Sequence, residues 1–244
     1  MYKKFHTLQK NLIESDIIND LSFSMISFFQ NEILPGMIKK NILDNNYKIL
    51  VDDQNYIDIE DKKILSGHYP LNFRIETYKK IIKSKKLFSY LEKEIFKTND
   101  FYFYLPPMCR FSLPQNKYSL TPWHVDKNYN HYLNDAYTVW IPLVDIDNEI
   151  GGIGFYDGNY DEKYEKTNKK NIFFSSVDLP DNAKIIRYNM KKSDVLIFDN
   201  STIHKSIPNN SNKIRYSLDI RFTRNNPISS HRYHYKMKKK LEPQ

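Results

Sequence analysis

An α+β domain, helices first and a two-sheet jelly roll after them, is the fold class this sequence predicts. Three observations carry the prediction. Apolar residues recur near helical spacing through residues 7–100. From residue 101 the character changes to short β-rich runs bounded by turn residues. Gly is scarce (6) while Tyr (19) and Phe (15) are abundant, a composition suited to a packed chain.

Leu8, Leu12, Ile13, Ile17, Ile18, Leu21, Phe23, Ile26, Phe28 and Ile33 form the first helical run, which Pro35-Gly36 is expected to break. Further helices are expected over 74–83 and 86–97, where Tyr78, Ile81, Ile82, Leu87, Leu91 and Ile95 make an apolar stripe. The acidic stretch from Asp52 to Asp61 reads as a loop. Strands are expected at Phe101–Leu105, Tyr137–Leu143, Ile153–Tyr156, Lys184–Tyr188, Asp194–Phe198 and Ile214–Phe222. The last alternates cleanly, with Ile214, Tyr216, Leu218, Ile220 and Phe222 on one face and Arg215, Ser217, Asp219 and Arg221 on the other. Gly151-Gly152 and Gly154 fit a strand start where another backbone comes close. Residues 157–183 exceed an ordinary connection and read as a lid or a surface insertion. With no internal repeat or linker, residues 1–244 are expected to form one domain: a helical part over about 1–100, a β core over about 101–224 and a basic tail over 225–244.

The formal charge is +8. That balance fits an anionic substrate or nucleic acid. The chain is equally rich in Asn and Ile, and part of the excess lies in His231–Lys240, so solvated lysines account for it better. The single cysteine, Cys109, allows no intramolecular disulfide, implies a reducing compartment and reads as a small buried hydrophobe. No apolar run has signal-peptide length or the ~20 residues of a membrane span. A soluble, cytoplasmic protein is expected.

The chemistry-bearing motif is Thr121-Pro-Trp-His-Val-Asp126. In a strand, His124 and Asp126 point the same way while Val125 packs behind. His204, from a distant strand, completes a set of two histidines and one carboxylate, the facial triad that binds iron(II) and leaves positions open. The carboxylate of Asp126 favours hydroxylation over halogenation. Arg215 and Ser217 share a strand face and together suit a carboxylate, by a charge-assisted and bidentate contact plus a hydroxyl. Arg221 reads equally as a site residue or a surface ion pair. His131 is expected to be solvated, His231 and His234 to belong to the tail, and His6 and His68 carry no signal.

These residues resemble the Fe(II)/2-oxoglutarate-dependent oxygenases, and most closely the phytanoyl-CoA dioxygenase group. The resemblance covers roughly residues 108–222: Trp123-His-Val-Asp126; Val139-Trp-Ile-Pro-Leu143 with Gly151-Gly152 and Asp157-Gly158; Ser193–Phe198 leading into Ile203-His204; and Arg215-Tyr-Ser217. Gly158-Asn159-Tyr160 departs from the family's usual Gly-Ser-His. The resemblance implies a double-stranded β-helix core with the N-terminal helices packed on it. It implies that His124, Asp126 and His204 hold Fe(II), and that 2-oxoglutarate and O2 become succinate and CO2 as a small-molecule substrate is hydroxylated. Arg215 and Ser217 would bind the far carboxylate of 2-oxoglutarate. Thr138 and Trp140 would line its pocket, with Arg110 a further, weaker candidate.

Two alternatives stand beside this. An alkylation-repair-type dioxygenase acting on nucleic acid is suggested by the Arg215–Arg221 spacing and the basic charge, against the Trp-Ile-Pro-Leu and Gly-Gly motifs. A non-catalytic jelly-roll binding protein would more often have lost a metal ligand.

Overall fold

Chain order runs from an edge strand into helices and then into two antiparallel sheets. The computed structural model describes residues 5–51, 58–128, 135–158, 176–180, 182–225 and 232–241. Strand β1 (His6–Gln9) stands where a helical run was expected to begin. It pairs antiparallel with a strand far along the chain, His6 opposite Phe198 through Gln9 opposite Val195, and that ladder overrides a weak helical pattern.

Helix α1 (Ser15–Phe28) buries Ile18, Leu21, Ser22 and Met25. The break expected at Pro35-Gly36 does not occur. The helix widens through a π-type turn (Phe29–Ile33) and continues as α2 (Leu34–Lys39), with Pro35 in the first turn, where its missing N–H is tolerated. Helix α3 (Ile59–Leu65) is capped by Asp58, whose carboxylate accepts from Asp61 N at 2.8 Å. The end of the expected acidic loop is therefore helical, and residues 52–57 lie outside the described residues. Helices α4 (Leu71–Ile81) and α5 (Lys85–Tyr90, prolonged by a π-type turn to Phe96) fall where expected. Ser84 caps α5, and Glu14 reaches it from the start of α1, accepting from Ser84 Oγ at 2.6 Å and Lys86 N at 2.9 Å.

The strands that follow are β2 (Tyr102–Tyr104), β3 (Met108–Ser112), β4 (Ala136–Pro142), β5 (Gly152–Tyr156), β6 (Ile185–Arg187), β7 (Val195–Asp199), β8 (His204–Ile207), β9 (Arg215–Thr223), β10 (Arg232–His234) and β11 (Lys239–Leu241). The large sheet runs β1-β7-β4-β9-β2-β10-β11, with β3 also paired to β9, and the small one runs β6-β5-β8. All six strands expected from the sequence are present. The expected tail is not simply a tail: β10 pairs with β2 and β11, Tyr233 stacks on Phe103 at 4.9 Å, and buried His234 meets Asp100 at 2.7 Å through Nε2. An open sheet edge and an aromatic partner recruit a segment whose composition alone reads as solvated. His231, His131 and most of the 157–183 insertion (159–175 and 181) lie outside the described residues.

The main core lies between the helices and one face of the large sheet, where Phe29, Phe88 and Leu91 join Phe111, Leu218 and Phe222. A second cluster, including Trp140, Phe155, Leu196 and Phe198, joins the two sheets. Tyr216, Leu218, Ile220 and Phe222 of β9 take the helical side, as expected. Arg215, Ser217, Asp219 and Arg221 are thereby turned to the other face, toward a cavity.

Candidate metal centre

His124 and His204 form a two-residue antiparallel bridge, His124 N donating to His204 O at 2.9 Å and His204 N to His124 O at 3.0 Å. His124 is thus not in a regular strand, and Asp126 opens a 3-10 turn (Asp126–Asn128). Lys127 N donates to Asn200 O (3.0 Å), which ties that turn to the segment between β7 and β8. The expected outcome survives the change of local geometry. Both side chains line one cavity, and Val125 packs behind them, wholly buried beside Val177 and Ile203.

His124 Nδ1 lies 2.8 Å from Pro122 O, and His204 Nδ1 lies 2.9 Å from Thr202 O. A carbonyl can only accept, so each Nδ1 carries a proton and donates, which leaves each Nε2 facing the carboxylate of Asp126. Those Nε2 atoms lie 3.8 and 4.0 Å from Asp126 Oδ1. Burial, then the neighbouring His204, pushes the His124 imidazole down to about 3, so it is neutral. Burial alone would raise the Asp126 carboxyl; Arg221 foremost, then His204, His124 and the Thr138 hydroxyl, hold it well below the usual carboxylate range. Two imidazole nitrogens and one anionic oxygen, all within 4.8 Å of one another, suit a divalent cation.

Asp126 is held at both oxygens. Thr138 Oγ1 donates to Oδ2 at 2.5 Å and Arg221 Nη2 to Oδ1 at 3.2 Å. Thr138 and Arg221 are direct cross-strand partners on β4 and β9, so one rung of the sheet supplies both contacts. Thr138 lines the cavity, but its hydroxyl serves Asp126. Arg221, evenly balanced in the sequence, is a site residue: its guanidinium also stands 3.9 Å from Asp219, whose carboxyl burial pushes up.

Arg215 is buried and lines the same cavity, of about 240 Å³, with Ser217 and Trp140. Its Nη1 donates to Ile207 O (3.1 Å) and Ile150 O (3.4 Å), and among the described residues no carboxylate comes within ion-pair distance. Burial, then Arg110, lowers its guanidinium to about 10, still charged near neutrality. Gly151 sets this corner. At φ +76° its backbone lies so close to β8 that an added Cβ would stand 2.3 Å from Pro208 O and 2.4 Å from Ile207 O. His68, which carried no sequence signal, also lines the cavity, brought there by the turn after α3 and an isolated bridge to Arg110. Asp219 lies there too. Its place on the polar face of β9 was readable, its role was not.

A family model described as phytanoyl-CoA dioxygenase (PhyH) matches residues 38–217. The chain belongs to that family. Among curated relatives of this phytanoyl-CoA dioxygenase family member is the 1-deoxypentalenic acid 11-beta-hydroxylase of Streptomyces exfoliatus, 34% identical over 125 residues. That alignment covers 46% of this chain and 43% of the relative; the like-named Streptomyces arenae protein is 32% identical over the same shares. The match therefore spans less than half the length of these relatives. Among solved structures, AviO1 from Streptomyces viridochromogenes Tue57 superposes with a TM-score of 0.58 at 13% identity, covering 93% of each chain. The epimerase SnoN, solved with Fe3+, alpha ketoglutarate and nogalamycin RO, gives 0.61 at 10% identity, covering 95% of this chain and 81% of that one. At such identities the likeness is one of fold.

Proposed function

We propose that this chain is a non-haem Fe(II)- and 2-oxoglutarate-dependent dioxygenase that hydroxylates an unactivated carbon of a small-molecule substrate, with 2-oxoglutarate and O2 becoming succinate and CO2. One observation carries the reading: His124, Asp126 and His204 converge in the cavity that Arg215 lines, and among the described residues no carboxylate lies within ion-pair distance of Arg215. The family match and the relatives' hydroxylase names support it. Two antiparallel sheets sharing a core support reading the β part as a double-stranded β-helix, with residues 1–244 acting as one oxygenase unit.

In this reading His124, Asp126 and His204 are the ligands. Iron(II) bound there supplies open coordination positions for 2-oxoglutarate and O2. Pro122 O and Thr202 O orient the imidazoles, while Thr138 and Arg221 orient the carboxylate. Arg215, with Ser217 beside it, takes the far carboxylate of 2-oxoglutarate, and Trp140 walls the pocket. Family membership and the relatives' names favour a small molecule over a nucleic-acid base, and the retained ligand set favours an enzyme over a binding protein.

Anaerobic titration of Fe(II) and then 2-oxoglutarate tests this. A weak visible charge-transfer band is expected in wild type, absent in His204→Ala and weakened in Arg215→Ala. No band in folded, iron-loaded wild type would sink the reading.

A further inference from the structure

Arg110 stands on the cavity wall. Its Nη2 donates to Ser66 O (3.1 Å) and Ser119 O (3.5 Å), and among the described residues no carboxylate oxygen lies within 4.0 Å. The β3–β9 register places Arg110 opposite Ser217 and Ser112 opposite Arg215. The two arginines are therefore diagonal neighbours on one face of that ladder. Two buried-side cations so close repel, and among the described residues neither has a carboxylate within ion-pair distance.

Two carboxylates of the site already face a cation. Asp126 pairs with Arg221, and Asp219 stands against the same guanidinium. In the proposed function, the divalent metal, Arg215 and Arg221 are balanced by Asp126, Asp219 and the two carboxylates of 2-oxoglutarate. Half-buried Lys205 also lines the cavity but lies over the Trp123 ring at 4.7 Å, whereas Arg110, on the inner wall, has no carboxylate within ion-pair distance among the described residues, and an unpaired charge in such a place is costly. His68 adds no competing charge. Burial, then Arg110, pushes its imidazole down to about 3, and its Nδ1 is engaged by Ser66 Oγ at 2.9 Å and Lys63 O at 3.3 Å.

We infer that Arg110 anchors the substrate, and that the substrate is a monoanion bearing a carboxylate, held by the planar guanidinium while its reacting carbon lies toward the metal. This rests on the proposed function and names its substrate class. It also separates two arginines of like chemistry: Arg215 serves the cosubstrate, Arg110 the substrate.

The test is saturation-transfer NMR with octanoate and octanamide, on zinc(II)-loaded protein saturated with 2-oxoglutarate. Wild type is expected to bind octanoate and to bind octanamide more weakly. Arg110→Gln should weaken octanoate at least about tenfold, as expected for losing a charged hydrogen bond, and leave octanamide unchanged. Arg110→Lys should retain part of the preference. The affinity for 2-oxoglutarate should be unchanged in Arg110→Gln and reduced in Arg215→Gln. Failure of wild type to prefer octanoate overturns the inference without any variant having to fold. So does octanoate binding that survives Arg110→Gln, or loss of 2-oxoglutarate on that substitution. Wild type that takes up metal but no 2-oxoglutarate would instead overturn the proposed function, and this inference with it.

Discussion

Arg221 Nη2 lies 3.2 Å from Asp126 Oδ1, so the carboxylate of the candidate metal centre has a counter-charge from β9 of the large sheet. That guanidinium substitutes for a cation when none is bound. Arg221→Met leaves the nearly inaccessible Asp126 unpaired, and the metal-free protein should lose about 3 kcal/mol, several degrees of melting temperature. Saturating metal should recover most of the loss. Thermal unfolding of wild type and Arg221→Met, each with and without cobalt(II), measures this; a deficit that metal does not narrow would assign Arg221 a purely structural role.

Gly151→Ala places a methyl group against Pro208 O and Ile207 O at a backbone angle that favours glycine. A loss of at least about 2 kcal/mol is expected in chemical denaturation. Because Ile150 O and Ile207 O are the acceptors of Arg215, folded variant should bind 2-oxoglutarate more weakly while its metal affinity stays near wild type. Calorimetric titration of each ligand separates the two effects.

Glu14 links the starts of α1 and α5. Burial works against its ionisation, but Ser84 Oγ and the backbone N–H of Lys86 outweigh that and hold its carboxyl below the usual range. A depressed folded-state value means stability that is full above the unfolded carboxyl's value of about 4.3 and fades as pH falls through the folded one. Glu14→Gln should therefore cost about 1 kcal/mol in urea unfolding at pH 7, and the gap from wild type should close progressively below about pH 4.

Cys109 is wholly buried on β3, with Thr77 Oγ1 at 3.4 Å, and burial pushes its thiol up to about 12. Native protein at pH 8 should resist iodoacetamide, and urea-unfolded protein should react once per chain; mass spectrometry counts the adducts.

The candidate site was legible where chemistry depends on residue type and strand period. His124, Asp126, His204 and Arg215 could be picked out because few other patterns combine those groups, and the face shared by Arg215, Ser217, Asp219 and Arg221 follows from alternation along β9. What escaped depends on contacts between distant segments. Nothing around His68 distinguishes it from a surface histidine until the turn after α3 bridges to Arg110. Arg221 was ambiguous because only the rung shared with Thr138 places it on Asp126. Likewise β1 and β10 exist because β7 and β2 offer partners, and a ladder between remote segments leaves little trace in local composition.

The C-terminal hairpin has a practical meaning. β10 covers the side of β2 that β9 leaves open, and β11 covers β10 in turn with exposed lysines. A protein trimmed at residue 230 would present Tyr102–Tyr104 as a bare row of N–H and C=O groups beside aromatic rings, a surface that recruits strands from other molecules. Loss of solubility on such trimming would then reflect an uncapped sheet, with the metal-binding residues themselves untouched.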